Sequence, residues 1–398
     1  MKREVGALWG TSSRGGPDRF EEQGDQGLSA LGGVASANSG SGQHATATVI
    51  SQRYSDVEAQ AESIPGFFQE YSQFECGRFE GIHHAHILSQ RAMLCVEATN
   101  RSIRKQFHIL PGEMRIGFHL NSASSIRCHG NGVELPSGEV SVNLPMTALD
   151  MHFANYHGAW ITLDFDRVRA MMSMQEEPSA LERPGRHQIA GPTACMFREM
   201  LAAARQELLD GRSLDPTRVA AFENILFSLA ASVVEKALDC DAAARETSRL
   251  RRAELLRKAC ELIDGRLSEG LTMSELCTTI GASRRCLENI FMEAFDVSPY
   301  QYVRTMRLNA IRRALLSEEN AGISIGDIAS RWGVWHLSRF AADYRSLFGE
   351  LPSESRRLLV KPEGRPRPRG SMDVERRLIA SRGVGAPNSA THGSEELP

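Results

Sequence analysis

The strongest constraint on the fold is a pattern of helix signals that occurs twice in the last third of the chain. In the first copy, Thr272 precedes Glu275 in a T-x-x-E capping box, and a short apolar helix ends at Gly281. Ser283 then caps a second helix, because its hydroxyl can accept a bond from a free amide of the first turn. Two short helices joined by a tight Gly turn form a helix-turn-helix, which we predict at about residues 272–294.

The same pattern returns further along the chain. Ser324 precedes Asp327 as a second capping pair, Gly333 turns the chain, and HLSRFAADYRSLF supplies the following helix. The basic helix SPYQYVRTMRLNAIRRALL lies between the two copies. One capping pair before a glycine is a weak signal, whereas two copies joined by a basic helix predict a second helix-turn-helix at about residues 324–348.

Length and composition favour a soluble protein of two domains. The 398 residues are 41% apolar and 24% charged, as in ordinary globular proteins. No stretch approaches the roughly 20 apolar residues that a membrane span needs, and the first residues contain no apolar block like that of a signal peptide. We therefore expect a cytoplasmic protein with no membrane partner.

Charge is distributed unevenly along the chain. Residues 249–360 carry 17 Lys and Arg against 14 Asp and Glu, and residues 361–398 carry 7 against 5. Since the net charge of the whole chain is -3, the residues before 249 are acidic. A basic C-terminal part behind an acidic N-terminal part suits a nucleic-acid-binding domain joined to a sensing domain.

The rest of the chain divides by composition. Residues 1–50 are rich in Gly, Ser and Ala, and residues 361–398 form a basic tail containing Pro, so we expect both to be disordered. Residues 51–245 begin with short β-branched and aromatic runs broken by PG, NG and SG turns. These runs predict an antiparallel β barrel or jelly roll. The whole chain is then a multidomain α+β protein, with a β-rich effector and dimerisation domain ahead of an all-α domain.

A helical hairpin is predicted at about residues 193–240, at the end of the β-rich domain. Its second helix begins at Pro216, after Asp215 as a start signal, and carries an apolar stripe. The stripe consists of Phe222, Ile225, Leu226, Leu229, Val233 and Leu238. This pattern is consistent with a dimer interface and equally with packing against the β domain of the same chain.

Signals for enzymatic or metal chemistry are weak. His84 and His86 alternate along one strand as cupin metal ligands do, but Gln90 stands where a cupin has Glu. The other histidines that could complete such a site are His119, His152 and His157. We expect ordinary strand histidines, no metal and no cofactor. The chain also lacks GxGxxG, G-x-S-x-G and P-loop motifs, so no catalytic residue is predicted.

The eight cysteines are spread along the chain and form no CxxC pair. A zinc or redox site of that kind is therefore not indicated. We expect each cysteine to be a small buried thiol.

Two runs in the C-terminal region carry a family resemblance. They are LTMSELCTTIGASRRCLENIFMEAFDVSPYQYVRTMRLNAIRRALL and ISIGDIASRWGVWHLSRFAADYRSLFGELPS. With them, the segment 251–357 resembles the AraC/XylS family of bacterial transcription regulators, and WHLSRFAADYRSLF is most similar to regulators of ethanolamine-utilisation operons. The resemblance implies an all-α DNA-binding domain at residues 249–360, whose two recognition helices enter adjacent major grooves.

Two positions depart from the family pattern. Val334 follows the turn glycine where the family usually has Phe. His336 stands where the family often has Ser or Asp to cap the second recognition helix. We therefore expect that helix to be weakly capped.

The resemblance also places base-reading residues on both helices. On the first they are Arg284, Arg285, Glu288 and Asn289. On the second they are His336, Ser338 and Arg339. Arg can bond guanine in two places, Asn can do the same with adenine, and Glu can accept from cytosine. The alternative is a solvated helix face of ordinary charged residues.

The connecting helix carries a group of arginines. Those predicted to neutralise DNA phosphates from exposed positions are Arg304, Arg312 and Arg313. Arg307 is predicted instead to bridge the two helix-turn-helix subdomains. Trp332 and Trp335 are expected to be core or near-core aromatics, since no stacking platform for single strands is indicated.

These features predict a ligand-responsive transcription regulator that activates a bacterial metabolic operon. The implied partners are double-stranded promoter DNA, RNA polymerase, a small-molecule effector and a second copy of the chain. A cupin-type enzyme with an accessory DNA-binding domain is the alternative from another class. A non-specific architectural DNA protein is disfavoured, because the predicted DNA-contacting face mixes Asn, Glu and Ser with Arg.

Overall fold

The computed structural model describes residues 48–360, apart from 65–68, 90–91, 121–127, 132, 137, 155, 173–185, 210–215 and 242–246. The predicted arm at residues 1–50, except its end, and the predicted tail at residues 361–398 lie outside the described residues. Gln90 and Asp215 also lie outside them.

Short β-branched and aromatic runs form the β domain. Its described strands are β1 (Thr48–Tyr54), β2 (Gln69–Gln73), β3 (Gly81–Ser89), β4 (Ala92–Thr99), β5 (Ile103–His108), β6 (Glu113–His119), β7 (Cys128–Gly130), β8 (Val133–Glu134), β9 (Val140–Asn143), β10 (Ala148–Phe153), β11 (His157–Asp164) and β12 (Arg186–Ile189). A seven-stranded sheet has the order β1-β3-β4-β11-β6-β9-β12, and a five-stranded sheet has the order β2-β5-β10-β7-β8. The pairings within both sheets are antiparallel. Strand β2 is therefore an edge strand of the smaller sheet.

Two short helices lie between strands of the β domain, and longer helices follow the last strand and form the C-terminal region. They are α1 (Val57–Ala61), α2 (Phe165–Ala170), α3 (Pro192–Leu209), α4 (Pro216–Asp241), α5 (Thr247–Gly265), α6 (Met273–Ile280), α7 (Arg284–Phe295), α8 (Pro299–Leu316), α9 (Ile325–Arg331), α10 (Leu337–Phe348) and α11 (Pro352–Val360). The β-rich N-terminal region and the helical C-terminal region confirm the predicted fold class. None of the helices described is at once long enough and apolar enough to cross a membrane.

Helices α3 and α4 form the predicted hairpin and pack on the seven-stranded sheet. Leu226 and Val233 are buried, as the stripe predicts, in one apolar cluster with Ile116 and Ile161 of the sheet. The prediction is wrong for Ile225, which is 55% exposed. The helix face that meets the sheet contains Leu226 and Val233 and does not extend to Ile225. The hairpin thus packs against the β domain of its own chain, and its role as a dimer interface stays a prediction.

Local caps and turns build the C-terminal helices as the sequence predicts. Thr272 Oγ1 accepts a bond from the Glu275 amide at 3.2 Å, and the Thr272 amide donates to the Glu275 carboxylate at 2.8 Å. Gly281 ends α6 with φ 70°, a left-handed conformation that glycine adopts without steric cost. The Ser324 hydroxyl caps α9 by accepting a bond from the Asp327 amide at 3.1 Å, and Gly333 turns the chain with φ 71°. Both predicted pairs of short helices are therefore present.

The cysteine prediction is wrong in part. Cys95 and Cys260 are buried, whereas Cys76 and Cys195 are exposed. Cys76 lies in the connection after β2, and Cys195 lies on the outer side of α3. The small size of a thiol does not by itself place it in the core when its backbone is at the surface.

The candidate metal-binding histidines lie in different surroundings. His84 Nδ1 is 2.8 Å from the Ser51 hydroxyl on the neighbouring strand. The His119 ring packs against Phe153, while His152 lies between the two domains. No group of three His, Cys, Asp or Glu side chains within the part of the chain that the structure describes is placed to hold a metal ion.

Candidate nucleic-acid interface

The first recognition helix, α7, is fixed by a cap and an apolar face. The Ser283 hydroxyl accepts a bond from the Cys286 amide at 3.2 Å and so satisfies one free donor of the first turn. The buried residues of the helix are Leu287, Ile290, Phe291, Ala294 and Phe295. With this face buried, the opposite face of α7 is presented to solvent.

The solvent face of α7 carries the predicted base-reading residues. Arg285 and Asn289 are exposed and lie one helical turn apart, so they share a face. Arg284 is also exposed, and its Nε donates to the Glu288 carboxylate at 2.8 Å. This exposed ion pair is weak in water, so either side chain can reorient towards a base at little cost.

The second recognition helix, α10, begins without a side-chain cap. His336 occupies the N-cap position and makes no capping hydrogen bond, as its departure from the family pattern predicts. Ser338 and Arg339 are exposed beyond it. Asp343 lies 3.9 Å from the Arg339 guanidinium and also pairs with Arg304 of α8, raising the pKa of Arg304. The side chain of Arg304 is 40% exposed and remains accessible from solvent.

The structure corrects the expectation for Trp335. Trp332 is partly buried and packs against both apolar clusters of the helical region, as expected. Trp335 is 74% exposed, because it lies in the turn before α10, where Val334 is the residue that packs inward. Leu337, at the start of α10, is 50% exposed. An apolar surface therefore adjoins the polar residues of α10.

Arg307 bridges the two helix-turn-helix subdomains, as predicted. Its guanidinium donates to the carbonyl oxygens of Leu267 at 2.9 Å and Glu269 at 2.6 Å, in the turn between α5 and α6 of the first subdomain. It also lies against the turn of the second subdomain, since a Cβ added at Gly333 would be 3.4 Å from the guanidinium. Arg307 therefore fixes the position of one turn relative to the other.

The prediction that Arg312 is exposed and meets a phosphate is wrong. Arg312 is 4% exposed, and its guanidinium donates to Glu58 at 3.0 Å, to Asp56 at 2.6 Å and to Glu350. Burial acts to lower the pKa of Arg312, but Glu58, Tyr344 and the other acids raise it well above its ordinary value. The reason is that the β domain packs on this face of α8, so the side chain joins the two domains.

Two further residues of α8, Arg313 and Asn309, contact the β domain. Arg313 pairs with Glu70 at 2.9 Å and would have to leave this partner to reach a phosphate. Asn309 is fully buried, and its carboxamide exchanges two hydrogen bonds with the backbone of Gln73, at 2.8 and 2.9 Å. The Asn309 side chain therefore pairs with the edge of β2 as a neighbouring strand would.

A second ion cluster joins β5 to α5. Arg104 is 1% exposed and donates to Asp150 through Nε at 2.7 Å. Its two terminal nitrogens donate to Asp264 of α5 at 3.1 and 2.7 Å. Arg104 and Asp150 belong to the β domain, whereas Asp264 belongs to the helical region. This one guanidinium therefore links the two domains.

An aromatic group completes the contact between the domains. Phe74, from the segment after β2, belongs to the apolar cluster of the first subdomain and stacks on Phe295 at 5.7 Å between ring centroids. His152 of β10 packs edge-on against Phe74 at 5.4 Å and against Phe295 at 5.1 Å. Burial lowers the pKa of His152 to about 3, so this imidazole is neutral in the folded protein.

This contact between the domains is not predicted by the sequence patterns. The segment 71–78 that supplies much of it carries no periodic pattern of its own. One signal was present, because Asn309 interrupts the apolar residues of α8. A buried polar side chain needs a partner, which here is the backbone of Gln73.

A family model described as a helix-turn-helix domain matches residues 276–358. The C-terminal segment is a helix-turn-helix domain. The match begins within α6 and ends within α11, so it includes both recognition helices and α8.

Known relatives resemble this helix-turn-helix domain. The XylDLEGF operon transcriptional activator of Pseudomonas putida is 37% identical over 105 residues, which are 26% of this chain and 32% of that protein. Regulatory protein HrpB of Ralstonia nicotianae is 38% identical over 128 residues, which are 32% of this chain and 26% of that protein. The chain thus spans no more than 32% of the length of these two relatives. These relatives support the resemblance to the AraC/XylS family.

A solved structure matches a longer stretch at lower identity. The AraC-like transcriptional activator CuxR is 14% identical, with a TM-score of 0.38, and the match covers 71% of this chain and 100% of that one.

Proposed function

We propose that this protein is a sequence-specific transcription regulator of the AraC/XylS type that activates a bacterial metabolic operon. The observation that carries the proposal is the exposed polar face at the start of both recognition helices, with Arg285 and Asn289 on α7 and Ser338 and Arg339 on α10. The first residues of a recognition helix are those that contact base edges. The relatives named above are by name a transcriptional activator and a regulatory protein, which favours this function over the cupin-type enzyme.

Each predicted side chain has a proposed task. The residues proposed to read bases are Arg284, Arg285, Glu288, Asn289, His336, Ser338 and Arg339. Arg304 is proposed to meet a phosphate, because its side chain is 40% exposed beside α10. Double-stranded promoter DNA is then the main partner.

The β domain is proposed to bind the effector. A cavity between its two sheets is lined by Phe107, Arg115, His119, Asn143, Tyr156 and Trp160, among others. The Arg115 guanidinium lies 4.2 Å from the Trp160 ring centroid and 4.5 Å from the Phe107 ring centroid. Burial lowers the pKa of Arg115 to about 10, which still leaves it charged near neutral pH. The cavity holds about 40 Å³, so its polar groups and aromatic rings suit only a very small effector unless the sheets move apart.

Further partners and a cellular location are also proposed for this chain. RNA polymerase and a second copy of the chain are proposed as protein partners, the latter through α3 and α4. A cytoplasmic location follows from promoter binding. From the similarity to regulators of ethanolamine-utilisation operons, we propose a small amine or a cofactor-linked signal as the effector.

Asn289→Ala tests the proposed function. Operator sites are first selected from random duplexes with the full-length protein. The variant should lose about 1–3 kcal/mol of binding free energy on the selected site and relax discrimination at one base pair. Its salt dependence should barely change, because no charge is removed.

Arg257→Ala is the control, because Arg257 is exposed on α5 and belongs to neither recognition helix. This variant should keep full discrimination between matched and mismatched sites. If the full-length protein selects no sequence, the proposed function is wrong. If it selects one and Asn289→Ala discriminates normally, the register assigned to α7 is wrong.

A further inference from the structure

The second recognition helix exposes apolar side chains where a polar surface was expected. Trp335 is 74% exposed and Leu337 is 50% exposed, on either side of the N-cap residue of α10. Trp335 is the most exposed large apolar side chain among the described residues. Exposed apolar groups at one place on a surface indicate a binding partner.

The surroundings of these side chains indicate what the partner is. His336, Ser338 and Arg339 are exposed on the same turn, and the Arg339 side chain is 70% exposed. A cation and hydrogen-bonding groups around an apolar centre fit the major groove, where thymine alone presents a methyl group. The surface is continuous with the proposed base-reading surface, since it uses the same residues at the start of α10.

Leu337 is also held in position. A Cβ added at Gly326 of α9 would lie 3.3 Å from Leu337 Cδ1, so one side of the leucine packs closely on α9. The other side remains open to solvent. An apolar group that is already fixed, with one side open, can contact a base at little cost. A mobile group would lose more conformational entropy on binding.

We propose that Leu337 and Trp335 read thymine by contact with its methyl group in the half of the operator that α10 enters. The inference rests on the proposed function and names the base class that the second helix selects. It also explains why a helix start without a side-chain cap carries two apolar residues: the methyl contact supplies specificity that hydrogen bonds do not.

Replacement of thymine by deoxyuridine tests the proposal, because it removes the methyl group and nothing else. Each thymine of the selected operator is replaced in turn, and the affinity of the full-length protein is measured. One or two replacements in the half contacted by α10 should weaken binding about fourfold each, the factor equivalent to one buried methyl group. Equal affinity for every replaced site would overturn the proposal, whatever the variants do.

Variants then assign the effect to residues. Leu337→Ala and Trp335→Ala should bind the thymine site more weakly and lose the difference between thymine and deoxyuridine. Leu358→Ala is the control, because Leu358 is 40% exposed on α11 and belongs to neither recognition helix, and this variant should keep the difference. Circular dichroism confirms that each variant is folded.

The remaining outcomes separate this inference from the proposed function. If Leu337→Ala and Trp335→Ala both retain the deoxyuridine effect, other residues contact the methyl groups and the inference is wrong. If they bind DNA normally but fail to support transcription in vitro, the apolar surface belongs to RNA polymerase and the inference is again wrong. If an operator is selected and Asn289→Ala relaxes it, the proposed function stands in either case.

Discussion

At Arg312, one guanidinium holds three carboxylates from two different segments of the chain. Asp56 and Glu58 come from the β domain, and Glu350 lies in the turn between α10 and α11. Taking the cation away leaves the acids in a place with little water, where an unpaired charge is costly. The contribution of Arg312 to stability is therefore larger than that of a surface ion pair.

Arg312→Ala should lower the free energy of unfolding by about 3–5 kcal/mol, the typical cost of removing one partner of a buried pair. Arg313→Ala is the matched control. Its side chain is 27% exposed and that of its partner Glu70 is 47% exposed, so about 1 kcal/mol or less is expected. Urea unfolding of the full-length variants measures both. Similar losses for the two arginines would contradict the role assigned to Arg312.

His152 makes stability depend on pH. In the unfolded chain its pKa is about 6.5, whereas burial lowers it to about 3 in the folded protein, with His129 and Arg104 acting in the same direction. Protons therefore bind the unfolded chain first, and stability falls as pH falls below about 6.5. At pH 5 this single group should account for about 2 kcal/mol of lost stability.

His152→Phe should reduce this loss, because phenylalanine has no proton to gain and keeps the ring contacts with Phe74 and Phe295. Thermal unfolding between about pH 5 and pH 7.5 measures the difference. His83 is buried in the β domain with its pKa lowered to about 4, so part of the acid sensitivity remains in the variant. His108→Gln, at an exposed position of β5, should leave the profile unchanged. An unaltered profile in His152→Phe would show that His152 is not the group responsible.

At the scale of elements, α10 differs from the other short helices in its first turn. Thr272, Ser283, Ser298 and Ser324 cap their helices through side-chain oxygens, whereas His336 makes no such bond. His336→Ser should therefore raise the free energy of unfolding by about 0.5–1 kcal/mol. Ser283→Ala, which removes the cap of α7, should lower it by about 1 kcal/mol. Urea unfolding measures both variants. If Ser283→Ala lowers the urea midpoint and His336→Ser leaves it unchanged, the first turn of α10 does not lack a stabilising cap.

The same elements show which parts of the structure the sequence could predict. Thr272, Glu275 and Gly281 act on residues close to them in the chain, so their spacing alone indicated the cap and the turn. Arg312 and Asn309 could not be interpreted in that way. Each is chosen for a partner far away in sequence, Asp56 and Gln73 respectively, and a helix pattern carries no record of such a partner.

At the candidate site, the sequence indicates which face of α7 is exposed, but it does not indicate that Trp335 is exposed beside α10. The exposed positions of Arg285 and Asn289 follow from the apolar period of α7, which the sequence shows directly. Trp335 is expected in or near the core because the sequence indicates no stacking platform for single strands. Its exposure depends on the chain direction in the turn before α10, which the residue type does not determine.

For the whole molecule, the contact between the domains determines how a fragment should behave. A fragment of residues 249–360 should fold into helices and bind the selected operator, because its caps, its turns and, apart from Phe74, its apolar clusters lie within it. It should melt at a lower temperature than the full-length protein, since it lacks Phe74 and the Arg104 ion pair. Circular dichroism against temperature measures both. A fragment without helical signal would show that the boundary is wrong.

Full-length protein should bind the operator more tightly than the fragment if the chain dimerises, because the second site is then bound at high effective concentration. Sedimentation with and without DNA checks this at micromolar concentration. A monomer under both conditions would remove the proposed role of α3 and α4.

The pairing of Asn309 with Gln73 has a consequence for solubility. Strand β2 lies at the edge of its sheet, and the carboxamide of a helix occupies the backbone groups that an added strand would otherwise use. A regulator that separated its domains to respond to a signal would open this edge each time. Opening would then expose a template for strand addition, so selection for a soluble protein favours brief or slight separation over wide separation of the two domains.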